Sequence, residues 1–216
     1  MRSDGRSGML KGILAALLIT LVATAASAQI TTVGGCKIRR GTLCSSMNLN
    51  GVDLAGANLA HSQFSRSNLG GANLQGTNFD EANLASTDLR QADLRGASLI
   101  KANARGAKLG EARLNKADLS GATLQNADFG SADLRDAVLT GADLTNARLD
   151  GARLDNADLR RANLRVADLR GASLAGANLQ GANFSQAVLE NADLTGASLD
   201  QANFDKARTA GCKGCP

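Results

Sequence analysis

Leu or Phe returns at every fifth position from Leu49 to Phe204 without an insertion, and lapses only at Ala104. Two residues before each of these centres stands Ala, except at Met47, Val52, Ser62, Ser67, Thr77 and Thr87. The other three positions of each five are mostly polar, charged or Gly. A fixed short period over most of a chain marks a repeat architecture. An α-helix advances about 500° in five residues, so the centres would spiral around its axis without forming a stripe. On a flat strand an odd period throws successive centres to opposite faces. The pattern therefore predicts a chain that turns a corner once per repeat, with centre and small residue inward and three residues outward. Four corners close a square coil of twenty residues, and coils stack at about 4.8 Å, the β-ladder spacing. The fold class is all-β, a solenoid of about eight coils of four repeats.

Gly is frequent two residues after the centre, where tight corners demand special torsions. Pro occurs only as Pro216, so the stack loses no ladder donor to it. Triplets such as Ala72-Asn73-Leu74 and Ala192-Asp193-Leu194 resemble the A(D/N)LXX signature of the pentapeptide repeat family. The resemblance covers residues 47–206. It implies a right-handed quadrilateral β-helix.

Residues twenty apart should stack. One interior column then reads Leu without a break from Leu54 to Leu194. A second runs from Phe64 through Ala104 to Phe184 and Phe204, so Ala104 is a truncation of the core. Outside, Lys108, Asp128, Arg148 and Asp168 alternate in sign, as do Arg113, Asp133 and Arg153. Each charge is expected near an opposite one in the next coil, which avoids like-charge stacking. Asn163, Asn183 and Asn203 suggest an amide ladder.

Four segments follow. Residues 1–28 read as a secretory leader: Arg2, Arg6 and Lys11, then an apolar run, then Ala26-Ser27-Ala28, with cleavage between Ala28 and Gln29. Retention as an anchor is the alternative. Residues 29–46 form an N-terminal cap with Cys36 and Cys44, residues 47–206 the solenoid, and residues 207–216 a C-terminal cap with Cys212 and Cys215. Eight coils make a rod roughly 38 Å long, and disulfide Cα atoms lie about 5.5–6 Å apart. End-to-end bridging is thereby excluded unless a terminal arm doubles back, and the expected pairs are Cys36–Cys44 and Cys212–Cys215, formed in an oxidising compartment. The Cys-Lys-Gly-Cys spacing also admits a redox role, but no thioredoxin-like βαβ pattern surrounds it.

Charge and chemistry narrow the function. Losing Arg2, Arg6, Lys11 and Asp4 from 24 basic and 20 acidic residues leaves 21 against 19. With both signs interspersed, five Phe, and neither Tyr nor Trp, no nucleic-acid surface is expected. His61 is the single histidine and falls in an outward slot. No catalytic, metal or cofactor site is expected. The reading is an exported, non-enzymatic scaffold or interaction protein of a bacterial periplasm or envelope, with an unknown protein or envelope component as partner. A homodimer through the C-terminal coil is an added expectation, since Phe184 and Phe204 share a column there. The family implies one alternative, a DNA-mimicking protein that binds DNA gyrase. Those members are cytoplasmic and acidic, and this chain departs from them on both counts.

Overall fold

The computed structural model describes residues 31–216, so the expected leader and the expected Ala28–Gln29 cleavage point lie outside the described residues. From Gly41 to Gly211, every fifth residue has a positive φ. Except at Ser46, where Met47 N–H turns to Ser67 Oγ, it is the third residue of a β-turn closed from the centre carbonyl to the N–H three residues on, as from Ala72 N to Leu69 O at 3.1 Å. A positive φ at that position is the mark of a type II turn. Gly adopts it freely. Twenty other residues adopt it too, and Val166, at φ 64°, is the β-branched one among them.

Between corners the chain is extended just long enough to pair. Leu69 donates to Asp88 O at 2.7 Å, and Asp88 donates back to Ser67 O at 2.9 Å. Parallel bridges of this kind link residues twenty apart, from Leu43↔Gln63 to Asp193↔Lys213. The ladder thus starts before Met47 and ends after Lys206. Stacking is what makes the repeat stable, because no coil satisfies its own extended backbone.

The centres fill the interior. Leu74, Leu94, Leu114, Leu134, Leu154 and Leu174 are fully buried, and Ala104 is buried in the same core. Polar residues that interrupt the Ala slots near the N-terminus are buried as well, and each has a partner one coil back. Thr77 Oγ1 donates to Leu54 O at 2.8 Å, Thr87 Oγ1 to Phe64 O at 2.8 Å, and Ser67 Oγ to Cys44 O at 2.5 Å. A buried hydroxyl is tolerable only when bonded in this way.

The two ends differ. At the N-terminus, β1 (Thr31–Val33) and β2 (Cys36–Ile38) form an antiparallel hairpin with Val33 opposite Cys36. Its loop is Gly34-Gly35, both at positive φ, as a two-residue type I′ turn requires. A side chain at Gly34 would press on Leu49 Cδ2 and Asn48 O, so the hairpin lies over the first coil. Val33, Ile38 and Met47 pack against the core there. At the other end, residues 207–213 do not fold over the stack. Arg208 and Lys213 bridge to Val188 and Asp193 and simply continue the coil. Leu199, Phe204 and Cys212 are left half-buried.

Candidate interaction surfaces

The stack turns the sequence into four faces, each a set of outward columns with a repeat of twenty. Three of them carry an Asp-Leu-Arg unit at the corner. Asp88–Arg90, Asp93–Arg95, Asp133–Arg135, Asp158–Arg160 and Asp168–Arg170 are ion pairs of 2.5–2.7 Å. Each Asp also accepts the backbone N–H of its Arg, as Asp88 does at 3.1 Å. The carboxylate thus braces the turn and holds the guanidinium together. This corrects the expected charge ladder: Asp133 and Asp168 bond chiefly within their own coil. The fork to an Arg two residues on is shorter than any reach to the next coil. Pairs between coils do occur, at Arg148–Asp128 (2.9 Å) and Arg113–Asp93 (3.5 Å). Arg153 instead turns to Asp155 at 3.8 Å. Arg135 pulls the Asp133 carboxyl down to about 2, with help from Asn115. Arg90, Arg95, Arg160 and Arg170 likewise lower Asp88, Asp93, Asp158 and Asp168.

The fourth face is different. Asn83 Nδ2 donates to Gln63 Oε1 at 2.9 Å, and Asn103 Nδ2 to Asn83 Oδ1 at 3.4 Å. The chain resumes below Thr123, with Asn163 Nδ2 on Asp143 Oδ1 (3.3 Å) and Asn183 Nδ2 on Asn163 Oδ1 (3.2 Å). Asn203 instead accepts the N–H of Asp205 at 2.9 Å. Two of the three expected ladder residues are therefore joined. In the next column Asn146 Nδ2 donates to Asn126 Oδ1 at 2.6 Å. Burial opposes ionisation of Asp143, but hydrogen bonds from Thr145 and Gln125 outweigh it and its pKa is lowered.

A groove of about 550 Å³ runs across several coils of the face that bears Asp88. Its floor includes Gly70, Gly110 and Gly130, which sit at a corner position where φ is not positive. The Arg148 guanidinium lies over Gly130. Near the first coils, Arg40 Nη2 donates to His61 Nε2 at 2.7 Å, so the ring hydrogen sits on Nδ1, which faces Glu81 Oε2 at 3.3 Å. His61 is a surface bridge.

Cys36 and Cys44 are buried and disulfide-bonded, with Cα atoms 5.5 Å apart. This bond ties β2 to the first coil. Cys212 and Cys215 form a second disulfide with Cα atoms 5.8 Å apart, at the open end. Among the described residues, no group of three or more His, Cys, Asp or Glu is placed to hold a metal ion. Among the same residues, no helix is long and apolar enough to cross a membrane.

A square coil of four five-residue corners, stacked by parallel bridges and walled by Ala and Leu, defines the class as a quadrilateral β-helix. The chain belongs to the pentapeptide repeat family. The model described as "Pentapeptide repeats" matches residues 137–174 and 172–208, and "Pentapeptide repeat region" matches residues 44–119. HetL, a pentapeptide repeat protein involved in heterocyst differentiation regulation from the cyanobacterium Nostoc sp. strain PCC 7120, is 32% identical. That match covers 84% of this chain and 96% of HetL, with a TM-score of 0.50. QnrB1, a plasmid-mediated fluoroquinolone resistance protein, shares the fold at 21% identity and a TM-score of 0.63, over 74% of this chain and 86% of its own. These neighbours are right-handed β-helices. Curated protein sequences give no match.

Proposed function

We propose that this protein is an exported, non-enzymatic rod that presents rigid faces to another molecule of the bacterial envelope. The observation that carries the reading is the unbroken ladder from Leu43 to Lys213. A surface fixed coil by coil in this way loses little conformational entropy on binding, which is the physical advantage of a preorganised scaffold. The two disulfides, together with the leader expected over residues 1–28, support an oxidising compartment.

The open C-terminal coil supports self-association. The N–H groups of Leu199 and Phe204 point where a next coil would lie and have no protein partner among the described residues, unlike Leu179, which donates to Ser198 O. An unpaired edge beside half-buried Phe204 invites a second copy.

Gyrase binding by DNA mimicry, the alternative that the family resemblance implies, fits this surface poorly. Mimicry needs bare carboxylates, and the Asp of each Asp-Leu-Arg corner is neutralised by its own Arg.

Fractionation of cells with in vivo cross-linking tests the proposal. The mature chain should begin at Gln29, partition with the periplasm or envelope, and cross-link to one of its components. An unprocessed cytoplasmic chain would sink the reading.

A further inference from the structure

We propose that the face carrying the amide ladder binds a linear acidic polysaccharide laid along the rod axis. The inference rests on the envelope-scaffold reading and names the chemistry of the partner.

Three observations single out this face. First, its composition: seventeen of its twenty-seven outward positions from Leu43 to Lys206 are Ser, Thr, Asn or Gln, against six of twenty-seven on the face that bears Asp88 and Arg90. Amide and hydroxyl groups both donate and accept, which is what a surface needs to meet sugar hydroxyls. Their mutual bonds run along the axis, at Asn83–Gln63, Asn146–Asn126 and Asn183–Asn163, and hold the groups in file.

Second, its charge. On the two faces that bear Asp88 and Asp93, every Arg is held by a carboxylate. On the amide face Arg66, Arg105 and Arg165 are exposed, and among the described residues none has a carboxylate within salt-bridge reach, Arg105 acting on Asp143 only at longer range; the face that bears Asp158 pairs Arg160 and carries one such Arg, Arg161. They stand about two and three coils apart, roughly 10 and 14 Å at the ladder spacing. A guanidinium without a protein partner is suited to bind carboxylate or sulfate bidentately. Charge complementarity therefore selects an anion that repeats along a line.

Third, its apolar content. The exposed large hydrophobic residues, Leu43 and Val166, both lie on this face and far apart along it. A protein interface would gather such residues at its centre. Isolated ones suit the C–H faces of sugar rings. Duplex DNA and anionic lipid fit less well, because neither uses so many hydroxyl-matching groups.

Binding of an oligogalacturonate to the full chain, measured by calorimetry at low salt, tests the proposal. Neutral methyl-esterified oligogalacturonate, duplex DNA and phosphatidylglycerol vesicles serve as comparisons. The acidic oligomer should bind, weaken as salt rises, and bind at least tenfold more tightly than its ester. Arg105→Gln with Arg165→Gln should weaken binding at least tenfold while leaving the melting temperature unchanged. Arg90→Gln with Arg170→Gln, on the neighbouring face, should leave binding unchanged. No binding of the acidic oligomer, equal losses in both double variants, or preference for DNA or vesicles would each overturn the inference. Any of these results leaves the scaffold proposal standing if the chain still fractionates and cross-links with the envelope. A cytoplasmic, unprocessed chain overturns that proposal instead, whatever the oligomer does.

Discussion

Asp133 grips Arg135 with both carboxylate oxygens. Arg135 Nε donates to Oδ1 at 2.8 Å and Nη2 to Oδ2 at 2.6 Å, while the backbone N–H of Arg135 reaches Oδ1 at 3.3 Å. The pair lowers the folded-state pKa of Asp133 to about 2, below an unfolded value near 4. Its stabilisation is therefore complete above about pH 4 and is lost as the pH falls through 2. Four further corners shift in the same direction. The melting temperature should fall steeply between pH 4 and pH 2. In Asp133→Asn that fall should be shallower, and a curve parallel to the parent would show that the pair adds nothing.

Val166 holds a β-branched side chain at φ 64° on the surface. The left-handed region costs an L-residue about 1–2 kcal/mol, and β-branching sharpens the clash. Val166→Gly should stabilise by about 1 kcal/mol after the entropy lost by Gly is deducted, raising the melting temperature by about 2–4 °C. Thermal melting that shows no gain would mean that Val166 makes a compensating contact.

Ala104 stands where Leu84 and Leu124 stand one coil either side, all buried. Restoring the missing side chain with Ala104→Leu should add about 2 kcal/mol, the low end of Leu-to-Ala costs reversed. A lower melting temperature would show that the neighbouring side chains have already closed over the site and that Leu overpacks it.

Thr87 Oγ1 bonds the Phe64 carbonyl at 2.8 Å, and Ser67 N–H donates to that same oxygen at 3.0 Å. In Thr87→Val the carbonyl keeps one partner. The loss should be about 1 kcal/mol, the net value of one hydrogen bond, read by chemical unfolding. A loss of several kcal/mol would require the carbonyl to be left unsatisfied.

Phe204 stacks on Phe184 at 5.0 Å, nearly parallel, and is the outermost aromatic of its column. Light scattering of the full chain should report a dimer. Phe204→Glu, which places a charge on the open coil, should yield a monomer that melts cooperatively. A dimer that survives this substitution would move the interface elsewhere.

The period of five determined most of the architecture. Leu and Ala recur with no insertion, and only a square coil buries such a pattern, so the core, the register of twenty and the place of Ala104 could be read directly. The Gly34-Gly35 hairpin was also legible, since two Gly between Thr31-Thr32-Val33 and Cys36-Lys37-Ile38 is a type I′ signal, although it lies outside the phase of the repeat. The partners of the outward charges were not legible. Asp133 has Arg113 and Arg153 one coil either side and Arg135 two residues on, and sequence spacing cannot rank them. The corner decides: it points Arg135 back along its own coil, where a fork of two hydrogen bonds is shorter than any reach across the ladder. Tertiary structure also decided the asymmetry of the ends. Residues 207–213 keep the repeat's phase and find a ladder to join. They extend the stack and leave Phe204 at an open edge, while the hairpin, out of phase, could only fold over the other end.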